Sequence, residues 1–362
     1  MKQKSVCISP IDWGLGHATR CIQLIQALED LGFLIFIASE GPHEAILREA
    51  VPTAHFLPLR GYRVRYTKKR ALLIPSLVLQ LPKIIYAVIN EYRWLKKAQE
   101  KYNFDLIIAD NRFGFFNKKT KSVFITHQLE LQTPFGWSTQ LIQKITYAFI
   151  NKFSACWVAD MQGSENLSGV LSNPGKIPSV PLWYMNCLSR FQKQASLISK
   201  TSSIQFLGMV SGPEPQRTLL ENILWQQGNE LGVSFVLVAG LPKQKLYNKI
   251  TPKGALYHHL EAADLVQQIM NAEYIICRGG YTTLMELIPF KKKLIFVPTP
   301  GQTEQEYLAT HWQNKNWAVY MNQASFNLAS AIDKASKLNY QSPPYISFST
   351  ESLSNELKRL SL

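Results

Sequence analysis

The chain has 362 residues, enough for two ordinary domains, and its 46% hydrophobic and 18% charged content excludes a disordered protein. A formal net charge of +14 indicates an acidic partner, for which nucleic acid, anionic lipid and a phosphorylated substrate all qualify. The five cysteines form no CxxC pair, which excludes a zinc signature and favours reduced core cysteines in a cytoplasmic protein.

The N-terminal region predicts a β-α-β unit, with a strand at 5–9, a helix at 18–31 and a strand at 33–38. The first strand begins too early to leave room for the apolar core of a signal peptide, so export is not expected. The loop at 12–17 has glycines that let the backbone approach a ligand. It is not a GxGxxG motif, but Glu40 follows the second strand, so a dinucleotide site stays open as a minor alternative.

The segment 60–95 combines positive charge with apolar residues. A basic cluster at its start consists of Arg60, Arg63, Arg65, Lys68, Lys69 and Arg70. The apolar stretch 71–79 follows, and Pro75 and Pro82 make it a poor membrane span. Two interpretations remain open: a surface that lies on an anionic membrane, or a buried helix beside a solvated basic loop.

Two further strands are predicted at 105–110 and 122–126, and polar residues follow both. Asp110 ends the first, and His127 and Glu130 come after the second. Because ligands bind at the carboxyl ends of parallel strands, these three residues are candidates for contact with a substrate or for acid–base chemistry. The alternative is that they only cap helices. A helix at 137–153 and a strand at 155–159 complete the first half.

The pattern weakens over 163–203, where prolines mark turns, and we place the domain boundary at 165/166. A second β-α series then begins with a strand at 204–210, a loop at 211–217 and a helix that ends near 231. A strand at 233–239 follows.

The most informative stretch is 274–307. It predicts a strand at 274–277, a turn at Gly279-Gly280, a helix at 282–288, a strand at 294–297 and a helix that starts near 303. Paired glycines before a helix let backbone N–H groups approach an anion such as diphosphate. Glu286 lies within that helix, where its carboxylate can accept hydrogen bonds from a ribose. The alternative is an ordinary tight turn with a solvated glutamate.

This stretch resembles the donor-binding segment of family 28 glycosyltransferases, whose best-known member makes the lipid-linked precursor of peptidoglycan. The matching residues are Cys277, Arg278, Gly279, Gly280, Thr283, Glu286, Pro298, Gln305 and Tyr307. In that family the turn and its helix hold the nucleotide, the glutamate binds ribose, and two consecutive glutamines contact the sugar. Gln305 matches the first glutamine and Glu306 replaces the second, so the donor sugar stays open.

The resemblance implies donor contacts from three loops. The implied donor-binding residues are Ser211, Gly212, Arg217, Arg278, Gly279, Gly280, Thr282, Thr283, Glu286, Gln302, Glu304 and Gln305. Arg217 would pair directly with phosphate, although Pro213 and Pro215 depart from the small-residue turn of the family.

The resemblance also covers Gly16-His17, which matches the end of the family's first glycine-rich loop. It implies that His17 lies near the reacting carbon as the general base, because a neutral imidazole can accept a proton near neutral pH. Asp12 is the second catalytic candidate, either as the base or as the residue that orients it. The loop glycines Gly14 and Gly16 join the strand-end residues Asp110, His127 and Glu130 as the candidate acceptor-side residues.

The implied fold is α/β and of the GT-B class, with two Rossmann-like β/α/β domains facing each other across a cleft. Residues 1–165 would bind the acceptor, 166–344 the nucleotide-sugar, and a helix within 345–362 would return to the first domain. The implied reaction is inverting transfer of a hexose or N-acetylhexosamine from a UDP-sugar to a glycan or lipid-linked acceptor. No cofactor and no nucleic acid are expected, and the absence of an Asp-x-Asp pair predicts a metal-independent reaction.

The expected location is the cytoplasm, with a peripheral site on the inner face of the cytoplasmic membrane as the further expectation. Two other functions remain open: a sugar-nucleotide epimerase on the same fold, and a non-catalytic protein that binds lipid or nucleic acid.

Overall fold

The computed structural model describes residues 3–64, 79–132, 136–195, 203–241 and 249–362. These residues divide into two compact units. The first contains 3–64, 79–190 and Tyr345–Leu362, and the second contains the described part of Phe191–Pro344. Four of the six residues of the basic cluster at 60–70, and most of the apolar stretch 71–79, lie outside the described residues.

The first unit is built on a seven-stranded parallel sheet in the order β3-β2-β1-β4-β5-β6-β7. Its strands are β1 (Ser5–Pro10), β2 (Leu34–Ser39), β3 (His55–Pro58), β4 (Leu106–Asp110), β5 (Lys121–Thr126), β6 (Ala155–Val158) and β7 (Leu182–Tyr184). The helices between them are α1 (Gly16–Asp30), α2 (Gly41–Ala50), α3 (Leu81–Tyr102) and α4 (Gly136–Ile150). Strands β1 and β4 are buried at every residue, as expected for parallel strands covered on both faces.

The register of this sheet determines which loops lie next to each other. Pro10 at the end of β1 pairs with Asp110 at the end of β4, and Asp110 pairs with Ile125 of β5. The loops that follow β1, β4 and β5 therefore leave the same edge of the sheet side by side.

The boundary between the units differs from the predicted one. Strand β7 pairs in parallel with β6, with Trp157 opposite Trp183, so residues 166–190 belong to the first unit. The division falls after Arg190 and not after residue 165. A strand of only three residues directly after Pro181 is too short for a periodic pattern to reveal it.

The second unit also contains a seven-stranded sheet, in the order β10-β11-β9-β8-β12-β13-β14. Its strands are β8 (Ile204–Met209), β9 (Phe235–Val238), β10 (Lys249–Ile250), β11 (Gly254–Tyr257), β12 (Ala272–Cys277), β13 (Lys293–Phe296) and β14 (Ala318–Tyr320). All neighbours are parallel except β10 and β11. The helices are α5 (Gln192–Ala195), α6 (Gln216–Glu230), α7 (Ala262–Asn271), α8 (Tyr281–Leu287), α9 (Thr303–Asn314) and α10 (Leu328–Lys337).

The chain ends with helix α11 (Thr350–Arg359) in the first unit, where it contacts α1. Ser349 caps this helix by accepting a hydrogen bond from the Ser352 N–H, and Leu353 and Leu357 bury its apolar face. Among the helices within the described ranges, none combines the length and the apolarity needed to cross a bilayer.

Candidate functional site

A buried carboxylate lies at the edge of the first sheet where β1, β4 and β5 end. Asp110, the last residue of β4, has no exposed surface. Arg20 of α1 binds it with two donors: Nε donates to Oδ2 over 2.8 Å, and Nη2 donates to Oδ1. Burial alone would raise the pKa of Asp110, but the charges and hydrogen bonds of Arg20 and His17 hold it well below its usual value. Asp110 is therefore ionised at neutral pH.

His17 lies beside this ion pair, in the first turn of α1. Its Nδ1 is 3.1 Å from Asp110 Oδ1 and 3.0 Å from Arg20 Nη2, and 15% of its side chain is exposed. Burial lowers the pKa of His17; the Asp110 carboxylate raises it, and Arg20 and His127 lower it further. The net pKa is below its usual value. The imidazole is consequently neutral at neutral pH, as a general base must be.

The second imidazole of this cluster is His127, directly after β5. Arg20 Nη1 donates to His127 Nδ1 over 2.9 Å, and His127 Nε2 is 3.3 Å from the amide of Gln128. The predicted residues His17, Asp110 and His127 thus come together around Arg20, which the sequence analysis did not identify. Because Arg20 follows His17 by three residues, the shared helix face was a usable signal.

Asp12 has a different environment from His17. Its Oδ1 accepts from the Tyr62 N–H over 2.8 Å and its Oδ2 from the Arg63 N–H over 2.7 Å. A Cβ at Gly61 would lie 2.3 Å from Asp12 Oδ2, so this close approach requires glycine. Asp12 therefore holds the segment after β3 in place, and its carboxylate is occupied by backbone donors.

The glycines of the first loop have conformational roles. Gly14 has φ +88°, and its carbonyl accepts a hydrogen bond from His43 Nε2 over 2.9 Å. Gly16 is the first residue of α1, and its carbonyl accepts from the Thr19 hydroxyl. Glu130 is half-buried, and its carboxylate accepts from the Gln132 amide over 3.0 Å.

A second buried ion pair lies next to the loop that follows β1. Glu91 of α3 and Arg112 are both 1% exposed and bind each other directly. Arg112 Nε donates to the Pro10 carbonyl over 2.9 Å, and the Tyr62 hydroxyl donates to Glu91 Oε2 over 2.8 Å. The pair therefore ties α3 to the start of the loop that carries Asp12 and to the segment after β3.

The predicted donor residues of the second unit lie at the carboxyl ends of β8, β12 and β13, which are neighbours in the sheet. Arg278 connects them and is 2% exposed. Its guanidinium donates to the carbonyls of Ser211, Gln216 and Val297 and to the Gln323 side chain. Burial and the charge of Arg217 lower its pKa to about 10. Because protein acceptors bind its N–H donors, Arg278 has a structural role and holds these loops together.

Arg217 is similarly engaged with protein groups. Its guanidinium pairs with Glu214 and with Glu221, each over 2.6 Å, and donates to the Thr218 hydroxyl. These carboxylates stand three residues before and four residues after it, which is the spacing of ion pairs on one helix face. The predicted direct pairing of Arg217 with phosphate would have to displace them.

The glycine turn after β12 has the predicted shape. Gly279 has φ +71°, and a Cβ there would lie 3.2 Å from the Phe296 ring. Gly280 precedes α8, whose first turn contains the half-buried Thr282 and Thr283. Glu286, on the same helix, is 6% exposed.

The loop after β13 completes this edge. Gln305 Oε1 accepts from the Thr299 N–H over 2.8 Å. Gln302 occupies the N-cap position of α9 without a side-chain capping hydrogen bond, and the first turn of α9 contains Glu304. The Thr299 hydroxyl is buried and has no hydrogen-bond partner among the described residues. It lies 3.5 Å from the position of a Cβ on Gly212, which has φ +113°. Thr299 was not predicted from the sequence.

Within the described ranges, no group of three or more histidine, cysteine, aspartate or glutamate side chains is placed to hold a metal ion. All five cysteines are buried and unpaired.

Comparison with known proteins gives a family match for part of the chain. Residues 221–360 match the model of the glycosyltransferase family 28 C-terminal domain. No curated protein sequence matches the chain.

Similar solved structures cover nearly the whole chain. The glycotransferase of kitacinnamycin has a TM-score of 0.64 at 13% identity and covers 93% of this chain and 91% of its own. Arabidopsis thaliana UGT89C1, complexed with UDP-L-rhamnose, has a TM-score of 0.61 at 12% identity over 93% of this chain and 90% of its own. MurG of Acinetobacter baumannii has a TM-score of 0.56 at 11% identity over 99% of this chain and 100% of its own. The GT-B class with two Rossmann-like units, predicted from the sequence, is confirmed.

Proposed function

We propose that the chain is a glycosyltransferase that moves a hexose or N-acetylhexosamine from a UDP-sugar to a glycan or lipid-linked acceptor. The observation that carries the proposal is the neutral, partly exposed His17, held by an ionised Asp110 3.1 Å away, in a chain whose residues 221–360 match a glycosyltransferase domain. His17 removes the proton of the acceptor hydroxyl as that oxygen attacks the sugar carbon. A single displacement of this kind inverts the configuration at the carbon.

The donor is proposed to bind at the edge formed by the loops after β8, β12 and β13. Gly212 and Gly279 have positive φ values, which let the backbone of these loops approach a ligand closely, and the Thr299 hydroxyl between these loops is a hydrogen-bond donor. Glu286 would accept hydrogen bonds from the ribose. Arg217 and Arg278 would contribute positive potential and loop geometry, because their guanidinium groups are bound to the protein.

The reaction is proposed to need no metal, because backbone N–H groups and hydroxyls can stabilise the departing diphosphate. The test is release of UDP from UDP-GlcNAc, UDP-galactose and UDP-glucose with candidate acceptors, in the presence and absence of EDTA. Turnover that survives EDTA is the expected result, and full loss that Mg²⁺ or Mn²⁺ restores would contradict it. An epimerised sugar nucleotide without released UDP would instead establish an epimerase.

An anionic membrane surface is proposed as the partner of α3. The N-terminal part of this helix presents exposed apolar side chains: Leu81 (49%), Ile85 (58%), Tyr86 (61%), Ile89 (44%) and Tyr92 (38%). Lys83 and Arg93 lie on the same helix and complement anionic lipid, as does the net charge of +14. Such a surface would place the chain on the inner face of the cytoplasmic membrane.

Vesicle flotation tests this surface. Binding to vesicles that contain anionic lipid, weakened by Ile85→Ser and Ile89→Ser, is expected. The matched control is Ile250→Ser, since Ile250 is also exposed (74%) but lies in the second unit. Failure of the wild type to float with either neutral or anionic vesicles would remove the membrane from the proposal.

A further inference from the structure

Arg20 contacts two imidazoles with different nitrogen atoms. Nη1 is 2.9 Å from His127 Nδ1, Nη2 is 3.0 Å from His17 Nδ1, and the guanidinium also binds both oxygens of Asp110. Arg20 is 1% exposed, so the protein fixes its geometry. A guanidinium has N–H donors and no acceptor, so its contacts limit which nitrogen of each imidazole carries the proton.

We propose that Arg20 gives the two histidines opposite roles: it holds His127 as an Nε2–H donor that orients the Gln128 amide, and it leaves His17 as the base. Neutral His127 must accept at Nδ1 from Arg20, so its proton resides on Nε2. It therefore cannot accept a proton from the substrate at that nitrogen. The role of His17 rests on the proposed function, whereas the two tautomers do not.

His17 has the other tautomer, because its Nδ1 lies next to an acceptor that His127 lacks. Nδ1 is 3.0 Å from Arg20 Nη2 and 3.1 Å from Asp110 Oδ1, and Nη2 donates to that same carboxylate oxygen rather than to the imidazole. A bare Nδ1 would place its lone pair 3.1 Å from Asp110 Oδ1, which is repulsive. An Nδ1–H there makes a charge-assisted hydrogen bond to the ionised carboxylate, roughly twice as strong as a neutral one. Nε2 of His17 then keeps its lone pair for the proton of the acceptor hydroxyl. Asp110, Arg20 and His127 are the charged or titratable groups that act on this imidazole.

The fixed tautomer of His127 determines the orientation of Gln128. The two Nε2 atoms are 3.3 Å apart, and two N–H donors facing each other make no hydrogen bond. The amide must therefore be turned so that Gln128 Oε1 accepts from His127 Nε2–H. Its NH₂ group then points away from His127. His127 is therefore the positioning residue for the half-buried Gln128 side chain.

The test is an NMR measurement on the full chain labelled with ¹⁵N-histidine, at mildly alkaline pH and without substrate. Long-range ¹H–¹⁵N correlations show which nitrogen of each neutral imidazole carries the proton. His43 is the internal reference, because its Nε2 contacts the Gly14 carbonyl, which can only accept, so it must be the Nε2–H tautomer. His17→Gln and His127→Asn assign the two signals.

The expected result is an Nε2–H signal for His127 and an Nδ1–H signal for His17. Arg20→Lys keeps the positive charge but removes the Nη1 donor, so the His127 signals should shift toward a mixture of tautomers while His43 stays unchanged. An Nδ1–H signal for His127, or an Nε2–H signal for His17, would overturn the proposal even if Arg20→Lys does not fold. Because no nucleotide-sugar is present, the result is independent of whether the chain transfers sugar.

Discussion

The role of His17 is tested by its replacement with glutamine. His17→Gln removes the proposed base, and general-base catalysis contributes about 10²–10⁴-fold, so kcat should fall by about that factor, or roughly 3–5 kcal/mol in activation free energy. The folded state should lose less than in a variant that removes the Asp110 charge, because the His17 side chain gives up only one hydrogen bond to a charged group, which is worth about 1.5–3 kcal/mol. Asp110 keeps both contacts from Arg20.

Asp110→Asn provides the contrast. It also removes the partner that orients His17, but it leaves Arg20 buried without a counter-charge, at a cost of about 3–5 kcal/mol in unfolding free energy. Urea unfolding and turnover of a UDP-sugar should therefore separate the two variants: both lose activity, and Asp110→Asn loses more stability than His17→Gln. Near-normal kcat for a folded His17→Gln would refute the assignment, and so would a loss of UDP affinity as large as the loss of kcat.

Three further predictions follow from other parts of the structure. The rate should fall as pH drops through the pKa of His17, because only the neutral imidazole accepts a proton, and this pKa lies below the usual value of about 6.5. A kcat/KM profile whose fall on the acid side occurs above about pH 6.5 would contradict a lowered pKa for His17. Glu91→Gln should lower the unfolding free energy in urea by about 3–5 kcal/mol, because Arg112 is left buried and unpaired; a change below about 1 kcal/mol would show that the pair is not needed. Gly279→Ala should cost about 1–3 kcal/mol in the same assay because of its φ of +71°, whereas Gly175→Ala, with open space around it, should cost far less; equal effects would refute the conformational argument.

The fold was predictable where strands are long and apolar. Residues 5–9 and 274–277 were expected as strands, and the structure has Ser5–Pro10 and Ala272–Cys277. The expected helix at 18–31 is Gly16–Asp30. The hydrophobic pattern of each of these elements lies within its own residues. A buried parallel strand is apolar throughout, and the apolar residues of an amphipathic helix recur at every turn.

The boundary between the units was not predictable in the same way. It depends on Leu182–Tyr184, which becomes a strand only because it pairs with β6. Whether these residues form a strand depends on a partner strand that is distant in sequence, and three residues are too few to show an alternating hydrophobic pattern. The sequence of 163–203 therefore gave no sign of the last strand of the first sheet.

The site was partly predictable because topology brings strand ends together. Asp110 and His127 were named from their positions after strands and His17 from the resemblance of Gly16-His17 to the family's loop, and the parallel register places the three at one edge. Arg20 and Arg112 were missed because an arginine is expected at the surface unless the buried residues that pair with it are known. The reverse holds for Arg217, whose charge suggested a ligand but whose own helix supplies the opposing carboxylate.

The measurement that tests the central claim most directly is thermal unfolding with UDP, UDP-GlcNAc, UDP-galactose, UDP-glucose, GDP-mannose and NAD. A ligand at about 100 times its Kd should stabilise the chain by roughly 2.7 kcal/mol. We expect stabilisation by the uridine compounds only, abolished by Glu286→Gln and retained in Glu261→Gln, an exposed glutamate outside the proposed donor site. No stabilisation by any nucleotide, or the same response in Glu286→Gln as in the wild type, would contradict a UDP-sugar site at this edge of the second sheet.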